Sequence, residues 1–275
     1  MEHIADLHIH SVFSDGLLTP EQIFIKAKDN GISAISITDH DSIDGNIIAL
    51  ELSSKYDIDF LTGVEFSCYD GGREYHILAY GLDVFNEHLR LQLGEFQVAR
   101  YRRAEIIHQK LASLGVDIDF DLIVEKAGKA PISRPHIATA LVDLGVVTHY
   151  KEAFERLIGD GCPAYEPKLH FAVDKAIQLI NECGGVAVLA HPGHMVNQST
   201  LYKIIKFGLD GIEVVHPMHN AYLQRYYHSI ASQYWLIETG GSDYHGTRSF
   251  DEDNFGRFVV PIAAVESIRT HIGEA

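Results

Sequence analysis

Cysteine is scarce and irregularly spaced in this sequence. The 275 residues contain three cysteines, Cys68, Cys162 and Cys183, and no pair has CxxC spacing. An odd number without that spacing argues against a disulfide framework and favours a reducing compartment. A chain of this length can bury a full hydrophobic core without covalent cross-links.

Long apolar runs and a secretory leader are also missing. No apolar run approaches the ~20 residues that a membrane-spanning helix needs. The first ten residues, MEHIADLHIH, contain neither the basic nor the apolar segment of a signal peptide. We therefore expect a cytoplasmic protein without a membrane partner. These features predict nothing about its oligomeric state.

Positive charge is the third deficit. Lysine and arginine together number 22 against 38 acidic residues, which gives a formal net charge of −16. Such a chain repels the phosphate backbone of long nucleic acids, so duplex binding is excluded as a general role. Bound divalent cations would reverse the sign locally, and a small nucleotide or a short oligonucleotide is therefore compatible with this charge.

Apolar runs predict an α/β fold interrupted by helices. Strands are predicted at about 3–8, 34–38, 60–67, 74–80, 186–190, 211–215 and 236–239. Thr19, Pro20 and Gln22 predict a helix start with a capping box. Strands alternating with helices favour a parallel sheet or a (β/α) barrel. We place the barrel domain at 1–95 and 170–275, and a helical insertion that covers the active site at 96–169.

Most of the predicted strands end in possible metal ligands. The nine candidates are His8, His10, Asp15, His40, Glu65, His76, His191, Asp243 and His245. Each residue alone could be a turn, capping or paired residue. A single metal site at one end of a barrel would explain why all nine occur near strand ends. Imidazole and carboxylate without thiolate suit Zn, Mn, Fe or Ni. Nine ligands exceed the needs of one ion and predict two or three, with Glu65 as a bridge.

Four segments resemble the motifs of one enzyme family. They are DLHIHSVFSDG (6–16), ITDHDSIDG (37–45), AHP (190–192) and GSDYHG (241–246), and GVEFS (63–67) and HILAYGLD (76–83) match further family segments. The chain thus resembles the polymerase-and-histidinol-phosphatase (PHP) family of phosphoesterases over about 1–95 and 170–275. The resemblance implies a distorted (β/α)7 barrel with a trinuclear centre of Mn²⁺, Fe²⁺ or Zn²⁺, with Mg²⁺ also possible.

The resemblance also implies a ligand set for each ion. It gives His8, His10, Glu65 and Asp243 to the first ion, Glu65, His76 and His191 to the second, and Asp15, His40 and His245 to the third. Phosphate esters would then be hydrolysed by a metal-bound hydroxide. No ligand position lacks a coordinating residue.

The insertion carries the strongest substrate signal. Its SRPHIA segment (133–138) resembles the family's stand-alone enzymes that act on nucleotides, namely a nucleoside 3′,5′-bisphosphate phosphatase and a 5′→3′ exoribonuclease that trims short RNA. Arg134 is the predicted phosphate clamp, because a guanidinium can bind phosphate in bidentate fashion at a helix start. His136 and Arg103 are further predicted substrate contacts. His194 is predicted to contact phosphate or, like His216, to protonate the leaving oxygen.

Three other functions are compatible with parts of the pattern. A barrel amidohydrolase also begins with an HxH pair, but it usually adds a lysine bridge where this chain has Glu65. A histidinol phosphatase would share the metal ligands but is less consistent with the SRPH segment. A non-catalytic PHP binding module would tend to lose ligands, and this chain keeps all nine.

Overall fold

The computed structural model describes residues 3–194 and 196–273. The chain divides into two compact units, residues 1–90 with 170–275 and residues 91–169. In the described part of the chain, no helix is long and apolar enough to cross a bilayer.

Strands and helices alternate at both ends of the chain. The elements are β1 (Ile4–Ile9), α1 (Pro20–Asp29), β2 (Ala34–Ile37), α2 (Asp44–Tyr56), β3 (Asp59–Phe60), β4 (Gly63–Asp70), β5 (Arg73–Tyr80), α3 (Glu87–Ser113), α4 (Phe120–Ala127), α5 (Arg134–Asp143), α6 (Tyr150–Ala153), α7 (Val173–Glu182), β6 (Val186–Leu189), α8 (Gln198–Lys206), β7 (Gly211–Val215), α9 (Ala221–Tyr234), β8 (Ile237–Gly240), α10 (Asp251–Asn254), β9 (Val260–Pro261) and α11 (Ala263–Ile272). A π-helical turn, Phe154–Ile158, continues α6. The mixed α/β class is confirmed, and β3, β9 and α10 were not predicted.

The strands form two open sheets rather than one closed barrel. Their orders are β3-β2-β1-β9 and β4-β5-β6-β7-β8. The strands of the described residues thus do not show a closed form of the predicted distorted (β/α)7 barrel. Two isolated β-bridges connect the sheets. One joins Ile9 of β1 to Tyr244, which follows β8, and the other joins His40, which follows β2, to Glu65 of β4.

A glycine pair accounts for the antiparallel pairing of β4 and β5. Gly71 and Gly72 both have positive φ, 56° and 80°, and they join β4 to β5 in a two-residue hairpin. Glycine reaches this left-handed region without a Cβ clash, so the pair favours a tight antiparallel turn. Strand β5 is consequently antiparallel to both β4 and β6, whereas β6, β7 and β8 run parallel.

The first unit has an apolar core on both sides of its strands. Ile9, Ile35 and Ile37 pack with Phe24 of α1, and all four are fully buried. Helix α1 begins with the predicted capping box between Thr19 and Gln22. Because close-packed strands resist displacement, residues that follow their ends are held in fixed positions.

The second unit is helical and has a core of its own. Ile107, Leu111, Ile123, Ile137 and Leu141 are buried together between its helices. The long helix α3 supplies Ile107 and Leu111 to this core. The predicted insertion, 96–169, lies within this unit.

Candidate metal centre

Glu65 is the centre of the candidate site. This carboxylate on β4 is fully buried. Its Oε2 atom lies 3.1 Å from His40 Nδ1, 3.2 Å from His10 Nε2 and 3.4 Å from His8 Nε2. Its Oε1 atom lies 2.8 Å from His76 Nδ1 and 2.9 Å from His191 Nε2. One carboxylate thus faces five imidazoles, as a bridging ligand would.

Two further carboxylates extend the cluster. Asp243 Oδ1, after β8, lies 3.2 Å from His10 Nε2 and 3.4 Å from His8 Nε2. Asp15 Oδ1, in the loop after β1, lies 3.4 Å from His245 Nε2. All nine candidate ligands of the sequence therefore lie in the first unit, at or just beyond the ends of β1, β2, β6 and β8 and on β4 and β5.

The ligating atoms form overlapping groups. Within each group the atoms lie within 4.8 Å of one another. Among the described residues the groups are His8, His10, Glu65 and Asp243; His40, Glu65 and His76; His10, Asp15, His40 and His245; and His8, Glu213 and His216. The first equals the set implied for one ion. The second has His40 in place of His191, the third adds His10, and the fourth was not implied, so the assignment of ligands to single ions stays a prediction.

The backbone at the site is tightly constrained. His191 and Asp243 have φ of 26° and 49°, a region that non-glycine residues rarely adopt. Gly241 permits the close approach of β8 to β1, because a Cβ there would lie 2.4 Å from the backbone nitrogen of His8. Such strain clusters at functional sites, where packing can offset it.

The donor atoms fit divalent cations. Seven buried imidazole or carboxylate atoms of this cluster make no hydrogen bond with the described residues: His8 Nε2, His10 Nε2, Asp15 Oδ1, His40 Nδ1, Glu65 Oε2, His216 Nε2 and His245 Nε2. Burying an unpaired polar atom costs free energy, and native proteins seldom leave so many together. Bound cations would satisfy all of them at once, which supports divalent metals at this cluster.

The cluster's electrostatics keep its carboxylates ionised. Burial alone would raise the pKa of Glu65, but His76, His40 and His8 outweigh it and hold that pKa well below its usual range. The balance between burial and neighbouring histidines is the same at Asp15 and Asp243. These groups are therefore anionic at neutral pH, which is the form that binds metal.

The histidines divide into two classes. Burial lowers the pKa of His40 to about 3, so its ring is neutral and ready to coordinate. At His10 burial acts in the same direction, but Asp243 and Glu65 outweigh it and raise the pKa to about 10. The pKa of His8 is also raised well above its usual value, against burial, by Glu213, Glu65 and Asp243.

Metal loading should therefore release protons. A pKa of about 10 means that His10 carries a proton at pH 7 in the metal-free protein, and the raised pKa of His8 acts in the same direction, whereas coordination requires the neutral ring. Calorimetric titration of Mn²⁺ into the metal-free protein should give a heat that changes with the ionisation enthalpy of the buffer and corresponds to net proton release. A heat that is the same in every buffer would contradict this account.

Glu213 on β7 was missed by sequence reasoning. It is fully buried, its Oε1 lies 2.9 Å from His8 Nδ1, and its Oε2 accepts a 2.7 Å bond from the backbone N–H of His191. It thereby fixes the orientation of two candidate ligands, His8 on β1 and His191 after β6. The sequence feature that could have indicated this role is an acidic residue inside the apolar run GIEVV (211–215).

Replacing this carboxylate should weaken metal binding. Glu213→Gln keeps the shape but loses the charged acceptor for His8, and such outer-shell changes typically cost roughly 10- to 100-fold in metal affinity. Competition with a fluorescent chelator measures the change. Glu238→Gln, on neighbouring β8 and paired with His228 at the surface, is the matched control. Equal affinities for both variants would overturn this role.

The predicted substrate contacts of the insertion lie in the second unit. Arg103 Nε donates to the carbonyl of Glu166, Arg134 Nη1 donates to Asp160 Oδ1 at 2.6 Å, and His136 Nδ1 accepts from the backbone N–H of Ser133. These contacts all lie within that unit. Substrate contact by Arg103, Arg134 and His136 stays a prediction.

Two cavities flank His76 and His191. The first, about 520 Å³, is lined by six of the nine candidate ligands and by His216, Met218, Arg248 and Phe250. The second, about 760 Å³, is lined by Arg73, Tyr75, Asn197 and the predicted substrate contact His194. Arg248 was not anticipated from the sequence. The cluster is therefore open to ligands from two sides.

Comparison with known proteins gives one family. The model of the PHP domain matches residues 6–240. The phosphoribosyl 1,2-cyclic phosphate 1,2-diphosphodiesterase of Eggerthella lenta is 32% identical over 88% of this chain and 94% of its own length. The 3′,5′-nucleoside bisphosphate phosphatase of Chromobacterium violaceum is 32% identical, over 87% and 86% respectively. The 5′-3′ exoribonuclease of Haemophilus influenzae is 30% identical, over 87% and 89%.

Solved structures agree with this assignment. A metal-dependent phosphoesterase from Bifidobacterium adolescentis superposes with a TM-score of 0.88 at 31% identity, covering 97% of this chain and 96% of that one. A structure from Chromobacterium violaceum, described as an amidohydrolase with bound sulfate, gives a TM-score of 0.78 at 28% identity, covering 95% and 99%.

Proposed function

The chain belongs to the PHP domain family, and from that premise we propose that it is a three-metal phosphoesterase acting on small nucleotides. The observation that carries the proposal is the group of buried, unpartnered ligand atoms around Glu65. Hydrolysis of a phosphate ester requires charge stabilisation that a cluster of this composition supports once it holds metals. Mn²⁺, Fe²⁺ or Zn²⁺ suits its ligands, and Mg²⁺ is compatible with its carboxylates.

The chain's own residues have separable roles in this proposal. Bound divalent ions would supply an activated water and offset the negative charge of the phosphoryl oxygens. Glu65, Asp15 and Asp243 retain those ions through their charge, and the neutral ring of His40 adds a lone pair. His194, exposed on the cavity beside His191, protonates the leaving oxygen.

The proposed substrate is a nucleoside 3′,5′-bisphosphate that loses its 3′-phosphate. The Chromobacterium relative carries that activity in its name, and the SRPH segment around Arg134 resembles that of family enzymes that act on nucleotides. The net charge of −16 disfavours long nucleic acids. The second candidate is 5′→3′ trimming of short 5′-phosphorylated RNA, which the Haemophilus relative's name supports.

Product analysis tests the function directly. Protein reconstituted with Mn²⁺ is incubated separately with pAp, a short 5′-phosphorylated RNA, phosphoribosyl 1,2-cyclic phosphate and a cyclic amide. We expect inorganic phosphate from pAp as the fastest product. Faster mononucleotide release from the RNA would favour the exoribonuclease, and faster opening of the cyclic phosphate would favour the activity named for the Eggerthella relative. Turnover of the amide alone would overturn phosphoesterase function.

A further inference from the structure

Arg248 places a permanent positive charge beside the candidate metal centre. It lies in the loop between β8 and α10, and its Nη1 donates to Asp243 Oδ2 at 3.0 Å. Its backbone N–H donates to Asp251 Oδ2, and its carbonyl accepts from the backbone N–H of Asp251. A guanidinium has five N–H donors, so four remain available on a side chain that is 41% exposed.

The cavity that Arg248 lines has two contrasting walls. One wall is the ligand cluster around Glu65 and Asp243, and the other includes Met218 and Phe250, which are 54% and 51% exposed. Arg248 is the one lysine or arginine among the described residues that line this cavity. The cavity thus offers a cationic group next to the metals and an apolar surface farther along.

A cation beside a cluster that binds cations needs an explanation. Arg248 repels metal ions held by Asp243 and competes with them for that carboxylate, so by itself it weakens metal binding. Asp243 does not need the arginine for its position, because its backbone N–H already donates to the carbonyl of His8 at 2.9 Å. The arrangement becomes favourable when an anion lies between the metals and the guanidinium.

We propose that Arg248 binds an oxygen of the scissile phosphate, while Phe250 and Met218 pack against the organic part of the substrate. The inference rests on the proposed phosphoesterase function and adds a substrate-binding residue to it. Because the guanidinium and the metal cluster share Asp243, an oxygen that reaches the cluster here is within reach of Arg248. Arg248 therefore recognises the phosphate being hydrolysed.

Phosphate binding gives a readout that is independent of turnover. Inorganic phosphate is titrated calorimetrically into the Mn²⁺-loaded wild type, Arg248→Gln and Arg248→Lys, with metal content measured for each. We expect Arg248→Gln to bind phosphate roughly 10- to 100-fold more weakly, the loss expected for one charged hydrogen bond. Arg248→Lys should restore part of the affinity. Metal content should be equal to or higher than that of the wild type.

Kinetics distinguish the two phosphates. Arg248→Gln should lose kcat/KM by a similar factor on p-nitrophenyl phosphate, which has one phosphate, and on pAp, which has two. Arg257→Gln is the matched control, since Arg257 is exposed and does not line this cavity. It should match the wild type in phosphate affinity and kinetics.

Three results would overturn the inference. The first is unchanged phosphate affinity in Arg248→Gln, and the second is a loss confined to pAp, which would assign Arg248 to the second phosphate. The third is a loss fully explained by lower metal content, which would make Arg248 a positioning residue for Asp243. The proposed function fails separately, if the metal-loaded wild type hydrolyses neither phosphate ester.

Discussion

Glu65→Gln should abolish hydrolysis while leaving the protein folded. The five imidazoles within 3.4 Å of the Glu65 carboxylate make it the shared ligand of the cluster. An amide has one oxygen and no charge, so it cannot bridge two cations. We expect kcat to fall by about a thousandfold or more, because charge stabilisation by metals supplies the largest part of such catalysis.

The fold should tolerate this change, which is close to isosteric. Circular dichroism and a single elution volume in gel filtration check folding, and elemental analysis checks the loss of bound metal. Glu266→Gln on the exposed face of α11 is the control, and it should keep both metal and activity. Metal content and kcat at the wild-type level in Glu65→Gln would show that the cluster has been assigned wrongly.

Removal of metal should strongly lower thermal stability. Ions that bind only the folded state stabilise it by about 4 kcal/mol per site at a concentration of 1,000 Kd. In a chain of this size that corresponds to a drop in Tm of roughly 10 °C or more on chelation. The buried atoms without hydrogen-bond partners, including His245 Nε2 and Asp15 Oδ1, are the structural cause of the loss.

Reversibility and a variant separate metal loss from other effects of the chelator. Mn²⁺ added in excess should restore the Tm of the wild type. Glu65→Gln should melt near the metal-free wild type and respond little to the chelator. A wild-type Tm that is unchanged by chelation, measured by scanning calorimetry on protein shown to be metal-free, would contradict the account.

Local sequence signals predicted the capping box of α1, whereas metal binding by the nine candidate ligands stays a prediction. The capping box of Thr19 and Gln22 and the long helix α3 are formed by short-range interactions, which a single sequence displays. The sequence also indicated the candidate ligands, because they follow predicted strands and residues in that position meet at one edge of a sheet. Pairing order was harder to predict, since it depends on long-range contacts. The Gly71–Gly72 hairpin reversed β5, and the two-residue strand β9 is antiparallel to β1.

The residues that sequence reasoning missed act through distant partners. Glu213 acquires its role from His8, 205 positions away, and nothing in its neighbours along the chain marks it as a ligand-orienting group. Asp39 was read as part of a motif, yet the structure shows it buried and accepting bonds from Ser11 and Ser14. It thereby holds the loop that carries Asp15. Such supporting groups become visible once the fold brings them together.

The number of metal ions bound per chain tests the central claim most directly. Protein reconstituted with Mn²⁺ and freed of excess metal is analysed by inductively coupled plasma mass spectrometry, with Asp15→Asn and Asp243→Asn measured beside it. We predict three ions per wild-type chain and fewer in each variant. One ion or none in the wild type, or three in both variants, would contradict a three-metal centre built on these residues.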